Sequence, residues 1–189
     1  MDSYNTHQSI LGAALLRTTG AVIEFGCGHG STFILHQFCA EHNRKLVTVE
    51  SDGAWLSLFS NLATSQHELI LTNDWELTLA DSRIVGRDYD LAFVDQAPFE
   101  ARYTTILALK DKVRFILLHD CDYFPEHGIF GVNVIGLNGS EHRGLRTYDD
   151  VFKHYKEFFP PEPWPNARTG PPTLLGSDFE SCNWEIGNR

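Results

Sequence analysis

The sequence is short of positive charge: 15 Lys and Arg stand against 25 Asp and Glu, giving a formal net charge of -10 over 189 residues. That balance opposes broad attraction to a phosphate backbone. A nucleic-acid partner would need a local basic patch, for which Arg143, Arg146, Lys153 and Lys156 are the only candidates. Apolar runs are short as well, none approaching the roughly 18 residues that a membrane span requires. The opening "MDSYNTHQS" lacks the basic and apolar regions of a secretory signal, so we expect a soluble, cytoplasmic chain with no membrane partner. Cysteines are few. Cys27, Cys39, Cys121 and Cys182 fall in no CxxC or zinc-ligand spacing, and read as free thiols in a reducing compartment. Asn138-Gly139-Ser140 matches a glycosylation sequon, which has no meaning without secretion. Internal repeats and dividing linkers are both missing, and a chain 42% hydrophobic at this length suits one domain over residues 1–189 with a continuous core.

What is present is alternation. "SILGAALLR" (9–17) has helical spacing and a stop in the "TTG" that follows; "AVIEF" (21–25) is a continuous apolar run of the kind found in a strand covered on both faces. "STFILHQFCAEHN" (31–43) predicts a helix, "KLVTVE" (45–50) a strand, "GAWLSLFSNLATS" (53–65) a helix and "HELILT" (67–72) a strand. "YDLAFVD" (89–95) and "VRFILLHD" (113–120) are further strands, with "FEARYTTILALKDK" as the crossover helix between them. This order implies right-handed βαβ units: an α/β, Rossmann-like, doubly wound, mostly parallel sheet with helices on both faces. The last third differs. Residues 125–147 carry five glycines and residues 160–172 six of the eight prolines, which predicts loops; "TYDDVFKHYKEFF" (147–159) predicts a helix, and "TLLG" with "NWEIG" an antiparallel C-terminal strand pair. We therefore expect residues 1–124 to form a ligand-binding part and 125–189 to carry substrate loops and the last strands.

Ligands of such sheets bind outside the carboxyl ends of the strands, where the strand order reverses. An acid falls at or just after each of five strand ends: Glu24, Glu50, Asp74, Asp95 and Asp120. Between the first strand and its helix, Gly26, Gly28 and Gly30 allow a ligand close to the backbone. A nicotinamide fingerprint from Gly26 would need glycine at 31, where Ser31 stands. Glu50, 22 residues after Gly28, is placed to accept ribose hydroxyls, and Glu24 disfavours a pyrophosphate beside the turn. His119 and Asp120 stand at the end of the fifth strand, and His119, whose ordinary pKa of about 6.5 lies near working pH, is a candidate general base. Cys27 reads as a small buried thiol in the turn. A nicotinamide-dependent oxidoreductase and a catalytically silent nucleoside-binding or interaction domain remain alternatives.

In their order, "VIEFGCGHGST", "VTVESD", "TNDW" and "YDLAFVDQAP" resemble the motifs of class I S-adenosylmethionine-dependent methyltransferases, over about residues 6–124. The resemblance implies S-adenosylmethionine as cofactor, its methionine part along Glu24, Gly26, Cys27, Gly28 and Gly30, with Asp95 able to hold its amine. It places ribose on Glu50, and adenine near Asp74 with Ser51, Asp52 and Trp75. "VDQAPFEARY" and "LLHDCDYF" look most like small-molecule O-methyltransferases and the cephalosporin-hydroxylase-like group. There Asp95 and Asp120 would bind Mg²⁺, although "HDCD" departs from the asparagine that usually follows the fifth-strand acid. The implied partner is a small-molecule acceptor.

Overall fold

The computed structural model describes residues 5–124, 129–130, 148–158 and 171–185. Five parallel strands come from the segments read as continuous apolar runs: β1 (Ala21–Phe25), β2 (Leu46–Glu50), β3 (His67–Leu71), β4 (Tyr89–Val94) and β5 (Phe115–His119). Between and before them lie α1 (Gln8–Arg17), α2 (Thr32–Glu41), α3 (Gly53–Ser57), α4 (Trp75–Ala80), α5 (Ser82–Val85) and α6 (Phe99–Leu109). After β5 come the two-residue strands β6 (Tyr123–Phe124) and β7 (Ile129–Phe130), then β8 (His154–Phe158) and β9 (Thr173–Ser177). The main sheet runs β3-β2-β1-β4-β5-β9-β8. β9 is antiparallel to both of its neighbours, so it alone is reversed.

Alternation along the central strands explains why they read as unbroken apolar runs. Ile23, Phe25, Val47, Val49, Ala92, Val94, Ile116 and Leu118 pack with Leu79, Ile84, Val85, Ile106 and Leu109 of the α4–α6 side. Their neighbours Val22, Leu46, Leu91, Phe93, Phe115 and Leu117 pack with Ile10, Leu11, Ala14 and Leu15 of α1, and with Leu35 and Cys39 of α2. Both faces are covered, as a parallel sheet requires. The order reverses between β1 and β4, which sets the switch point there.

Three sequence expectations are corrected. The helix over 53–65 stops at Ser57: bonds from Leu58 N to Trp55 O and from Phe59 N to Leu56 O tighten the chain into i→i+3 turns, and a 3₁₀ turn follows at Ser60–Leu62. This brings Phe59 and Leu62 under Cys27. The helix over 147–159 is one turn, in which Val151 N and Phe152 N both bond Tyr148 O, followed by β8. Tyr148, Val151 and Phe152 are buried; Lys153 N then bonds Asp178 Oδ1 and the chain joins β9. The C-terminal antiparallel pair exists, yet the partner of "TLLG" is β8, while residues 183–185 have no regular structure and Trp184 packs edge-on against Phe115. The loops expected at 125–147 and 160–172 fall mostly outside the described residues, as do the sequon at 138–140, Arg143 and Arg146.

Candidate functional site

At the carboxyl end of β1 the three glycines serve different ends. Gly26 has φ +88°, and a Cβ there would lie 2.6 Å from the backbone N and Cα of Gln96, so the turn is pressed onto the end of β4. A Cβ on Gly30 would collide with the Asn5 side chain and come 3.2 Å from His7 Cε1. At Gly28 it would meet nothing nearer than Ser31 Oγ at 3.9 Å. Only Gly28 leaves open space. Gly26→Ala is therefore expected to cost at least about 2 kcal/mol in chemical denaturation, through left-handed strain plus backbone overlap. Gly28→Ala is expected to melt with the wild type.

Glu24 lies beneath this turn, fully buried. Its oxygens accept from Ser31 Oγ at 2.6 Å, Thr48 Oγ1 at 2.8 Å and Thr32 Oγ1 at 3.0 and 3.1 Å. Thr32 Oγ1 in turn accepts from Gly28 N, so the acid fixes the turn to the start of α2. Thr48 also meets His67 Nε2 at 2.9 Å, and His67 Nδ1 meets His36 Nδ1 at 3.0 Å, a line of polar contacts leading toward half-buried His36. Burial pushes the Glu24 carboxyl up to about 7, against the pull of the three hydroxyls. With the folded value above the usual 4.5, the folded state keeps its proton longer, and stability is lost as pH rises from about 4.5 to 7. Glu24→Gln has no such loss. In urea titrations its stability relative to the wild type is expected to climb by about 1–3 kcal/mol across that interval and then level off; a difference independent of pH would contradict the elevated value.

Glu50, at the end of β2, closes the other side of the turn. Its Oε1 accepts from Ser51 N at 2.6 Å and Asp52 N at 2.9 Å, and its Oε2 from Cys27 N at 3.0 Å. Cys27 is buried, and burial beside Glu50 pushes its thiol far above the ordinary range, so it is no nucleophile. Asp52 caps α3 through Ala54 N and Trp55 N, and Trp55 Nε1 reaches back to Cys27 O at 2.7 Å. His29 of the turn stacks on Phe33 and stands edge-on to Trp55. Phe33 and Trp55 carried no signal in the sequence. Asp74 is the N-cap of α4, bonding Leu77 N, and Trp75 donates to Ala97 O at 2.9 Å while its ring lies against Phe25.

The ends of β4 and β5 form the remaining cluster. His119, 4% exposed, brings Nδ1 to 3.1 Å from Asp95 Oδ1 and 3.6 Å from Asp120 Oδ2. Its Nε2 is buried with no hydrogen-bond partner among the described residues. Burial works to raise the Asp95 pKa, but His119 and Arg102 outweigh it and hold Asp95 below the usual carboxylate value. His7, the residue before α1, stands edge-on to His119 with ring centroids 4.6 Å apart; burial, then the neighbouring His119, brings it down to about 4, so its ring is neutral. Arg102 of α6 joins the two acids: Nη2 lies 2.9 Å from Asp95 Oδ1 and Nη1 2.6 Å from Asp120 Oδ2. Neither His7 nor Arg102 carried a signal in the sequence.

Asp95, His119 and Asp120 each bring a ligand atom within 4.8 Å of the others, compact enough for a divalent ion. The set does not fit one as it stands, because Arg102 holds both carboxylates and the Nδ1 of His119 faces carboxylate oxygens as a donor. Tyr148 is a core residue whose hydroxyl donates to Cys121 O, and Lys156 is bonded to Trp184 O. Among the described residues no helix is long and apolar enough to cross a membrane.

No family model matches the chain, and no curated sequence matches it. Solved structures do. An rRNA methylase from Streptococcus thermophilus is similar with a TM-score of 0.51 and 17% identity, covering 90% of this chain and 95% of that one. A TehB-like SAM-dependent methyltransferase from Corynebacterium glutamicum gives 0.52 and 11%, covering 93% and 88%. At these identities the likeness speaks to architecture: the chain has the Rossmann-like α/β fold of the class I methyltransferases.

Proposed function

We propose that this protein transfers the methyl group of S-adenosylmethionine to a small-molecule acceptor, with His119 as the base. The observation that carries the proposal is the pairing at the switch point. The open face of Gly28 lies beside Glu50, whose Oε2 takes one backbone donor, Cys27 N, and would accept a ribose hydroxyl on its outer side. Glu24 lies buried beneath the turn and supports it through Ser31, Thr32 and Thr48. Ser51, Asp52, Asp74 and Trp75 would surround adenine, and Asp95 would lie nearest the amino-acid end.

When bound, S-adenosylmethionine supplies an electrophilic methyl group on a sulfonium, open to in-line displacement. The protein's part is alignment, exclusion of water and removal of a proton. His119 donates from Nδ1 to Asp95, which fixes the tautomer and leaves the Nε2 lone pair to take the proton of an acceptor hydroxyl or ammonium. Asp95 then steadies the imidazolium. No divalent ion takes part, since the carboxylates already hold Arg102.

The test is transfer of label. Protein incubated with methyl-labelled S-adenosylmethionine and a small-molecule cell extract is expected to yield a labelled low-mass product, and Gly28→Ala to yield less through weaker donor binding. Label found only in protein or RNA fractions would replace the acceptor class. No enzyme-dependent transfer would contradict the proposal.

A further inference from the structure

We propose that Arg102 is the resident cation of this site, standing where a divalent ion would otherwise join the ends of β4 and β5. The guanidinium makes four hydrogen bonds to those two strand ends and one further ionic contact. Nε donates to Gln96 O at 2.8 Å; Nη1 to His119 O at 3.0 Å and Asp120 Oδ2 at 2.6 Å; Nη2 to Asp95 O at 3.1 Å, with Asp95 Oδ1 at 2.9 Å. The side chain is buried, and the Phe99 ring lies 4.3 Å from its central carbon. Such a group cannot lose its charge or leave its fork of acceptors without unmaking the rim.

The atoms it holds, Asp95 Oδ1 and Asp120 Oδ2, are those that face the third member of the ligand cluster, His119 Nδ1. A metal ion would need all three, with Nδ1 stripped of its hydrogen. Arg102 takes the carboxylates and leaves that hydrogen in place, so His119 is kept as an oriented base instead of a ligand. Arg102 is thus a positioning residue for His119. The inference deepens the proposed function, but its test needs no methyl donor, so the two can fail separately.

The test is Mn²⁺ titration by calorimetry, with thermal melting in chelator and in excess Mn²⁺. The wild type is expected to show no saturable binding in the micromolar range and the same melting temperature in both. Arg102→Met, which keeps the apolar stem without the charge, is expected to melt lower in chelator and to gain one Mn²⁺ site at least tenfold tighter than the wild type. Mn²⁺ should restore its melting, and adding Asp120→Asn should abolish the site. Arg102→Lys, a cation that cannot bridge in the same way, is expected to melt between the two and bind no Mn²⁺. An Arg102→Met protein that folds only with Mn²⁺ supports the proposal equally. Wild-type Mn²⁺ binding that Asp120→Asn removes, or an Arg102→Met protein unresponsive to Mn²⁺, overturns it.

Discussion

His119→Gln is expected to lower the rate of methyl transfer roughly 100- to 10,000-fold while leaving donor affinity unchanged, the usual range for loss of a positioned base. Gln fills the ring's space and offers a hydrogen-bonding group toward Asp95, so the fold has no reason to change. The pH profile separates a base from a packing residue. Burial works to lower the His119 pKa, but Asp95 and Asp120 outweigh it and the value lies above the ordinary 6.5. Only the neutral ring can take a proton, so the wild-type rate should fall as pH drops through that pKa, and the limb should vanish in His119→Gln. An unchanged limb in the variant would assign the proton to another group. Asp95→Asn is the companion experiment, since it weakens the partner that fixes the tautomer.

Glu50→Ala is expected to weaken donor binding by about 2–3 kcal/mol, roughly 30- to 150-fold, with little change in the rate at saturating donor. Two losses add. The ribose would lose its charged acceptor, and the N–H groups of Cys27, Ser51 and Asp52 would lose the carboxylate that now gathers them. Glu50→Gln tells the two apart, because its amide oxygen still accepts while the charge is gone. Unchanged affinity in Glu50→Ala would remove Glu50 from the donor site.

The fold was legible where burial on both faces leaves a continuous apolar run. "AVIEF" matches β1 residue for residue, and the other four parallel strands differ from expectation only at their ends. Legibility failed where spacing is ambiguous. Tyr148, Val151 and Phe152 have the periodicity of a helix because one helical turn does form there, and nothing local announces that Lys153 will bond Asp178 and the chain after it join the sheet. Asp74 was legible as an acid after a strand. Its service as N-cap of α4, with the short helix itself, was not.

The site divides in the same way. The glycine turn, Glu50 and the strand-end acids follow local rules of α/β sheets and could be found from spacing. Arg102 could not: in "FEARYTTI" it looks like any arginine of an amphipathic helix, and its partners lie 6, 7, 17 and 18 residues away on two strand ends. His7 meets His119 only because α1 packs on the sheet. Chemistry that depends on such long-range meetings becomes visible only once the strands are ordered.

The central claim is that the switch point between β1 and β4 receives S-adenosylmethionine. Isothermal titration calorimetry of the wild type with S-adenosylmethionine, S-adenosylhomocysteine and NAD tests it directly. The expected result is saturable one-to-one binding of the first two, lost or sharply weakened in Glu50→Ala, and no binding of NAD. Absence of binding to both sulfur compounds, or binding of NAD in their place, would contradict it.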